Sequence, residues 1–254
     1  MRGMKLALNG GLVVALALAC GAATAKNIEC DVDSDYDLNV TDKSVVLTRQ
    51  TGTPKAIVMR NGRMFVDDKW VSLSKDDSKR IADYEQHIRA TLPLAAQIGR
   101  DAADIAFTAL GEVATGLSSR PEETRAALAR SRADVDKRLE RAVTANRFNG
   151  NELGRSIENA ISEVLPLVIG DIVGGAISAA FSGDEARIER MNNLDKEIER
   201  RVEPRAKQLE MRAENLCRRM EALDAIDNAL VYRLPDGRRL DLIDAKVKVR
   251  DDYR

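Results

Sequence analysis

The chain changes its hydrophobic period sharply after Ser74. From Cys30 to about Leu73, apolar and polar positions alternate with a period of two, the spacing of a half-buried strand. In CDVDSDYDLNV, Val32, Tyr36, Leu38 and Val40 share one face with Ser34, while Asp31, Asp33, Asp35, Asp37 and Asn39 share the other. SVVLT (44–48) gives a second strand. AIVMRNGRMFV (56–66) reads as a hairpin turning at Asn61-Gly62. KWVSL (69–73) adds a short strand, with Trp70 as a core or sheet-packing residue. The sum is a small antiparallel sheet, which needs a covering layer because an isolated hairpin is marginal in water.

After Ser74 the period becomes helical. Ser74 with Asp77, Ser119 with Glu122, and Ser182 with Glu185 stand at capping-box spacing, and Asn149 suits the cap of a helix starting near Gly150. These signals predict helices over 75–117, 120–148, 151–181 and 184–230, with Pro93, Pro166 and Pro204 kinking or splitting three of them. In the last helix, Val202, Leu209, Leu216 and Leu223 recur every seven residues, with Ala206, Ala213 and Met220 four places after the first three. That is a coiled-coil-type seam, and the Arg and Glu residues on the other faces read as a solvated surface. RRLDLIDAKVKV (238–249) returns as one or two strands.

The expected fold class is therefore α+β. A small N-terminal antiparallel sheet (26–74) precedes long, proline-kinked helices forming an elongated hairpin or bundle (75–230), and a short strand or tail closes the chain (231–254). Residues 1–25 stand apart. Arg2 and Lys5 precede an apolar run from Leu6 to Ala19 and the small-residue segment Ala23-Thr24-Ala25, the order of a secretory signal peptide. The run is shorter than the ~20 apolar residues of a membrane span. Cleavage is expected between Ala25 and Lys26. The alternative is a lipoprotein anchored through Cys20, although Ala17 stands where a leucine three residues before the cysteine is wanted.

Either outcome leaves Cys30 and Cys217 as the free pair, and exported thiols oxidise together. A Cys30–Cys217 disulfide is expected, with two buried free thiols as the alternative. It would staple the first strand beside the seam of the last helix. A metal site is not supported, because His87 is the only histidine and two cysteines do not fill a tetrahedral shell.

Composition narrows the function classes. Apolar residues make up 44% of the chain, enough for a real core, and the 4% aromatic content suits helix packing through Ala, Leu and Ile. Charged residues are 32%, yet the net charge is −1, and removal of Arg2 and Lys5 makes it more acidic. That balance argues against nucleic-acid binding.

Three stretches invite a functional reading. DVDSDYDLNVTD resembles a calcium loop, with Asp31, Asp33 and Asp35 as a weak calcium candidate, but Tyr36 occupies the position of the obligatory glycine. VLPLVIGDIVGGAISAAF (164–181) carries a small-residue stripe of Gly170, Gly174 and Ser178, flanked by Gly175 and Ala179. Asp171 and Pro166 make it a poor membrane span. Burial in the core is the first reading, self-association the second and membrane contact the third. His87, with Asp83 four residues earlier, has no nucleophile elbow or second histidine to complete a triad. GDIVGG lacks the strand and the Lys-Ser/Thr of a phosphate loop. No catalytic residue and no cofactor is expected.

An exported chain with a cysteine near its mature start, an NG hairpin, long charged helices, a second cysteine near the end of the last helix and the ending LPDGRRLDLI (234–243) resembles the YggN-like family of Gram-negative envelope proteins, a domain of unknown function. The resemblance runs from Lys26 to about Ile243. It implies a periplasmic address and no established activity. Together these readings describe a non-enzymatic structural or interaction module whose partners are envelope proteins or itself; the alternative is a membrane-associated or lipid-handling protein acting through 164–181 or a lipidated Cys20.

Overall fold

The computed structural model describes residues 27–118, 120–182 and 185–250. The expected signal peptide, the Ala25–Lys26 cleavage site, Cys20 and Ser119 lie outside them. Described residues form α1 (Lys75–Leu117), α2 (Pro121–Ala142), α3 (Gly150–Ser182) and α4 (Glu185–Asn228), with short strands before, between and after them. The chain divides into two compact units. One takes the residues up to Thr91, Ala145–Gly150 and everything from Glu214 onward; the other takes Leu92–Thr144 and Asn151–Ala213.

The first unit holds all the β structure. A six-stranded antiparallel sheet runs in the order β6-β5-β4-β3-β2-β7, from β2 (Asp37–Val40), β3 (Val45–Thr48), β4 (Ala56–Arg60), β5 (Arg63–Val66), β6 (Lys69–Trp70) and β7 (Phe148–Asn149). Alternation places Val45, Leu47, Ile57, Met59, Met64 and Val66 inward, and Ile57, Met59 and Met64 are wholly buried. The Asn61-Gly62 turn has both residues at positive φ (51° and 71°), as a two-residue hairpin demands. The first turns of α1 cover this hairpin: Ser78 donates to the Gly62 carbonyl at 2.8 Å, and Glu85 accepts from the amides of Asn61 (3.2 Å) and Gly62 (3.0 Å).

The acidic stretch 31–42 is not the one strand its alternation predicts. It divides at Ser34, whose hydroxyl bonds the Leu242 carbonyl at 2.7 Å. β1 (Asn27–Asp33) then pairs antiparallel with β8 (Asp244–Arg250) in a separate two-stranded sheet, with Cys30 opposite Val247. Trp70 is not a core residue. It is 53% exposed, packs edge-on against Phe65 with ring centroids 5.4 Å apart, and lies under the Arg63 guanidinium at 4.4 Å.

Cys30 and Cys217 form the disulfide, with Cα atoms 6.0 Å apart. It ties β1 to α4 across 187 residues of sequence. Seam residues Leu209 and Leu223 are buried, and Val202, Ala206, Ala213, Leu216 and Met220 are half-buried.

In the second unit, α1 and α4 run antiparallel. Asp101 pairs with Arg212, Asp104 with Arg205 (3.2 Å) and Arg132, and Glu112 with Arg201 (3.0 Å), so one helix number rises as the other falls. Two apolar clusters lie beside this ladder. Ala114, Leu128 and Val168 pack with Phe107, Leu110 and Ile172, and Val135 and Leu139 pack with Ala103, Leu153 and Ile157.

Pro93, Pro166 and Pro204 do not split their helices, which run through all three. The second helix ends at Ala142, earlier than its charge pattern suggests, because the chain leaves to supply β7, where Phe148 pairs with Val40. Its N-cap is Arg120, without a side-chain capping bond, and Pro121 opens the helix. Ser74 caps α1 as expected, accepting from the Asp77 amide at 3.0 Å.

Candidate interaction surface

The apolar stretch 164–181 lies in α3, and its orientation is set by the residue that made it a poor membrane span. The Asp171 side chain is only 6% exposed. It accepts hydrogen bonds from the hydroxyls of buried Ser118 and Thr124 at the α1–α2 turn, with the Arg120 guanidinium 3.8 Å away. Ser118 also accepts from the Arg120 amide at 2.9 Å. A buried carboxylate held by two hydroxyls fixes the rotation of α3 about its axis, because releasing it would strand three polar groups.

With Asp171 facing in, Val168 is buried and Ile172 is half-buried in the cluster with Leu128. The opposite side faces out. Ile169, Val173 and Ile177 are 51%, 51% and 55% exposed, one helical turn apart. Pro166, Gly170 and Gly174 are exposed on the same side, so the described residues of this face carry no charge from Pro166 to Ile177. A Cβ added at Gly170 or Gly174 would meet nothing within 4 Å. The expectation that the stretch is buried is thus overturned at Ile169, Gly170, Val173, Gly174 and Ile177 and holds at Val168 and Gly175. Of the predicted stripe, Gly170 and Gly174 point outward and Gly175 is buried, while the Ser178 side chain lies outside the described residues. No described helix is long and apolar enough to cross a membrane.

The other sequence candidates are dispersed. Asp31 and Asp33 are exposed on β1, whereas Asp35 pairs with Arg49 at 3.1 Å. Asp31 and Asp33 belong to β1 and Asp35 to the bend before β2, so the stretch runs on through two strands where a calcium loop would curl round the ion. Among the described residues no group of three or more His, Cys, Asp or Glu is arranged to hold a metal. His87 is exposed, and its Nδ1 meets the Asp83 carbonyl (2.8 Å), not the Asp83 carboxylate that the spacing suggested.

Sequence reasoning missed two clusters. A groove of about 600 Å³ in the second unit is lined by Phe107, Thr108, Glu112, Arg125, Arg200 and Arg201, with Arg205 at its edge. Each guanidinium already has an acidic partner: Glu122, Glu197, Glu112 and Asp104. The groove is therefore a neutral ion-pair lattice, not a reservoir of positive charge. The second cluster is the set of buried carboxylates in the first unit. Asp77 accepts from the amides of Val231 (3.1 Å) and Tyr232 (3.0 Å), Glu85 holds the hairpin turn, and Asp227 accepts from Leu242 (2.7 Å) and Ile243 (3.4 Å). No sequence signal marks them, since their partners are up to 155 residues away.

Residues 30–243 match the model of a family described as a protein of unknown function (DUF2884). The chain belongs to this family. The match spans the disulfide, the sheet, all four helices and the turn that Asp227 holds, so the family is defined over both units. No curated protein and no solved structure matches the chain.

Proposed function

We propose that this protein is a non-enzymatic interaction module of the bacterial envelope, exported to the periplasm after cleavage between Ala25 and Lys26, and that it works by self-association through the outward face of α3. The observation that carries the reading is the side of α3 from Pro166 to Ile177, whose described residues carry no charge, on a protein whose surface is otherwise dense in charge. Three half-exposed β-branched side chains at one-turn spacing are what an interface presents before its partner arrives.

A second copy of α3 is the occupant that suits this face. At 100° per residue, Ile169, Val173 and Ile177 occupy one flank, and Gly170 and Gly174 the flank beside it. In a parallel two-fold pair, the bulky flank of each helix lies against the glycine flank of the other at the same height. Ile169 then sits beside Gly170, and Val173 beside Gly174, and the absent Cβ atoms let the backbones approach. The described residues from Pro166 to Ile177 offer a charged partner nothing to pair with. From Pro166 to Ile177 the face is about 18 Å long and about 10 Å wide, an area far below the ~800 Å² per partner of a standard interface, so the dimer is weak and concentration-dependent.

The periplasmic address is supported by the order of charge, apolar run and small residues in 1–25, by the disulfide and by the resemblance to YggN-like envelope proteins. The helical hairpin is supported by the antiparallel ion-pair ladder between α1 and α4, and the coiled-coil packing of α4 by the inward turn of its heptad seam.

Sedimentation velocity on the oxidised mature protein tests the self-association. Wild type is expected to show a reversible dimer that grows with concentration, and Val173→Glu to remain monomeric. Gly174→Leu separates notch packing from general stickiness. It adds apolar surface without a clash in the monomer, so packing predicts loss of the dimer, whereas non-specific association predicts a gain. A wild-type protein that stays monomeric at every concentration overturns the reading.

A further inference from the structure

We propose that Asp227 is a proton-operated latch for the C-terminal segment Leu240–Arg250: its neutral form keeps the segment closed, and its ionisation releases the segment while the disulfide holds β1 in place. This rests on the first unit alone and is independent of the α3 face.

Asp227 is 2% exposed near the end of α4. Its Oδ2 accepts the Leu242 and Ile243 amides, and its Oδ1 is buried without a hydrogen-bond partner. A carboxylate with one unpaired buried oxygen is costly, whereas a proton on that oxygen removes the charge. The groups facing it add to the cost. Tyr84 on α1 is buried and feels the Asp227 charge, which raises its phenol after burial has done so first. Asp224 on α4 and Asp241 and Asp244 on the segment itself surround an adjoining cavity of about 250 Å³, with Asn228 and Arg239 in its wall. The cations nearby are engaged elsewhere: Arg239 donates to the Asn228 carbonyl, and Lys246 pairs with Asp244 at 2.9 Å. Burial, followed by the Asp241 and Asp224 charges, outweighs the two amide bonds and pushes the Asp227 carboxyl up to about 7.

The mechanical arrangement decides what moves. β1 is bonded covalently to α4 through Cys30, whereas the segment is held without a covalent tie. It is held by the ladder of β8 to β1, by the Ser34 hydroxyl on the Leu242 carbonyl (2.7 Å), by the Glu221 carboxylate on the Val247 amide (3.1 Å), by Asp224 on the Ala245 amide, by the Asp227 bonds, and by burial of Leu240, Leu242 and Ala245. Opening exposes Asp227 to water, where its carboxyl returns toward an ordinary value near 3.8. The closed form therefore binds the proton more tightly. Opening should become more favourable as pH rises between these two values and level off above the upper one.

Hydrogen exchange on the oxidised mature protein from about pH 4.5 to 8, corrected for intrinsic amide rates, tests the latch. Opening of the Leu242–Val249 amides is expected to rise about tenfold per pH unit up to about pH 6.5 and then flatten, with Ile81–Ile88 of α1 as the unaffected control. Asp227→Asn should abolish the slope, and Asp241→Asn should move the flattening to lower pH. A flat wild-type profile, or a slope that persists in Asp227→Asn, overturns the proposal. Should Asp227→Asn fail to fold, a flattening point unmoved by Asp241→Asn overturns it equally.

Discussion

At the scale of single residues, the first unit is held by carboxylates that satisfy backbone amides far away in sequence. Glu85 anchors the Asn61-Gly62 turn from α1, and Gly62 has no room for a side chain: a Cβ there would lie 2.6 Å from the Ser78 carbonyl oxygen at φ +71°. Gly62→Ala is expected to destabilise the protein by about 2–3 kcal/mol through strain and clash, and Glu85→Ala by a similar ~2–3 kcal/mol through two abandoned amides, both measured by urea denaturation. Asp227 makes a pH prediction with a definite sign. Its folded carboxyl titrates near 7 against an ordinary 3.8, so its contribution to stability is complete below about pH 4 and is lost as pH rises toward 7. Asp227→Asn should therefore melt higher than wild type at pH 8, by on the order of 1–3 kcal/mol, with the difference shrinking or reversing at pH 4.5. The turn was legible in the sequence because Asn-Gly between two apolar runs is a local signal. The carboxylates were not, because Asp77 and Glu85 look like any acidic residue of a charged helix until the chain brings Tyr232 and Gly62 to them.

At the scale of elements, all four helices were legible because helical periodicity holds over long windows, and the structure matches their starts to within a residue, with Ser74 capping α1 as expected and Arg120 standing at the N-cap of α2. The discrepancies have local physical causes. The acidic stretch 31–42 alternates like one strand, but β1 needs the C-terminal β8 as a partner and β2 needs β3, so the chain breaks where Ser34 reaches Leu242. Residues 143–148 looked helical, with Asn149 as the next cap, yet Phe148 and Asn149 complete the edge of the six-stranded sheet. The apolar stretch of α3 has no amphipathic pattern to read, and only the hydroxyls of Ser118 and Thr124 on Asp171 show which face turns out. Asp171→Ala is expected to lower stability by about 2–4 kcal/mol, since it leaves two buried hydroxyls without their acceptor, and thermal unfolding measures it. Gly170→Ala on the outward face should instead stabilise the monomer by roughly 0.5–1 kcal/mol, because it removes backbone entropy where nothing is near.

At the scale of the whole molecule, the disulfide was legible from the cysteine count and the expected export, whereas the division into two units was not, since each is assembled from separated pieces of chain. The bond closes 187 residues, and loop entropy gives about 5 kcal/mol as an upper value for its contribution. Dithiothreitol and Cys217→Ala should lower the melting temperature by the same amount. Proposals for the molecule as a whole converge on one surface, the uncharged side of α3. Site-specific photo-crosslinking from position 173, in cells expressing the full chain, reports directly on what touches that surface. The account predicts an adduct of twice the mature mass, lost when Gly174→Leu is added, with none from a control probe at exposed Glu203. Efficient crosslinking to lipid or to an unrelated protein with no doubled species would contradict it.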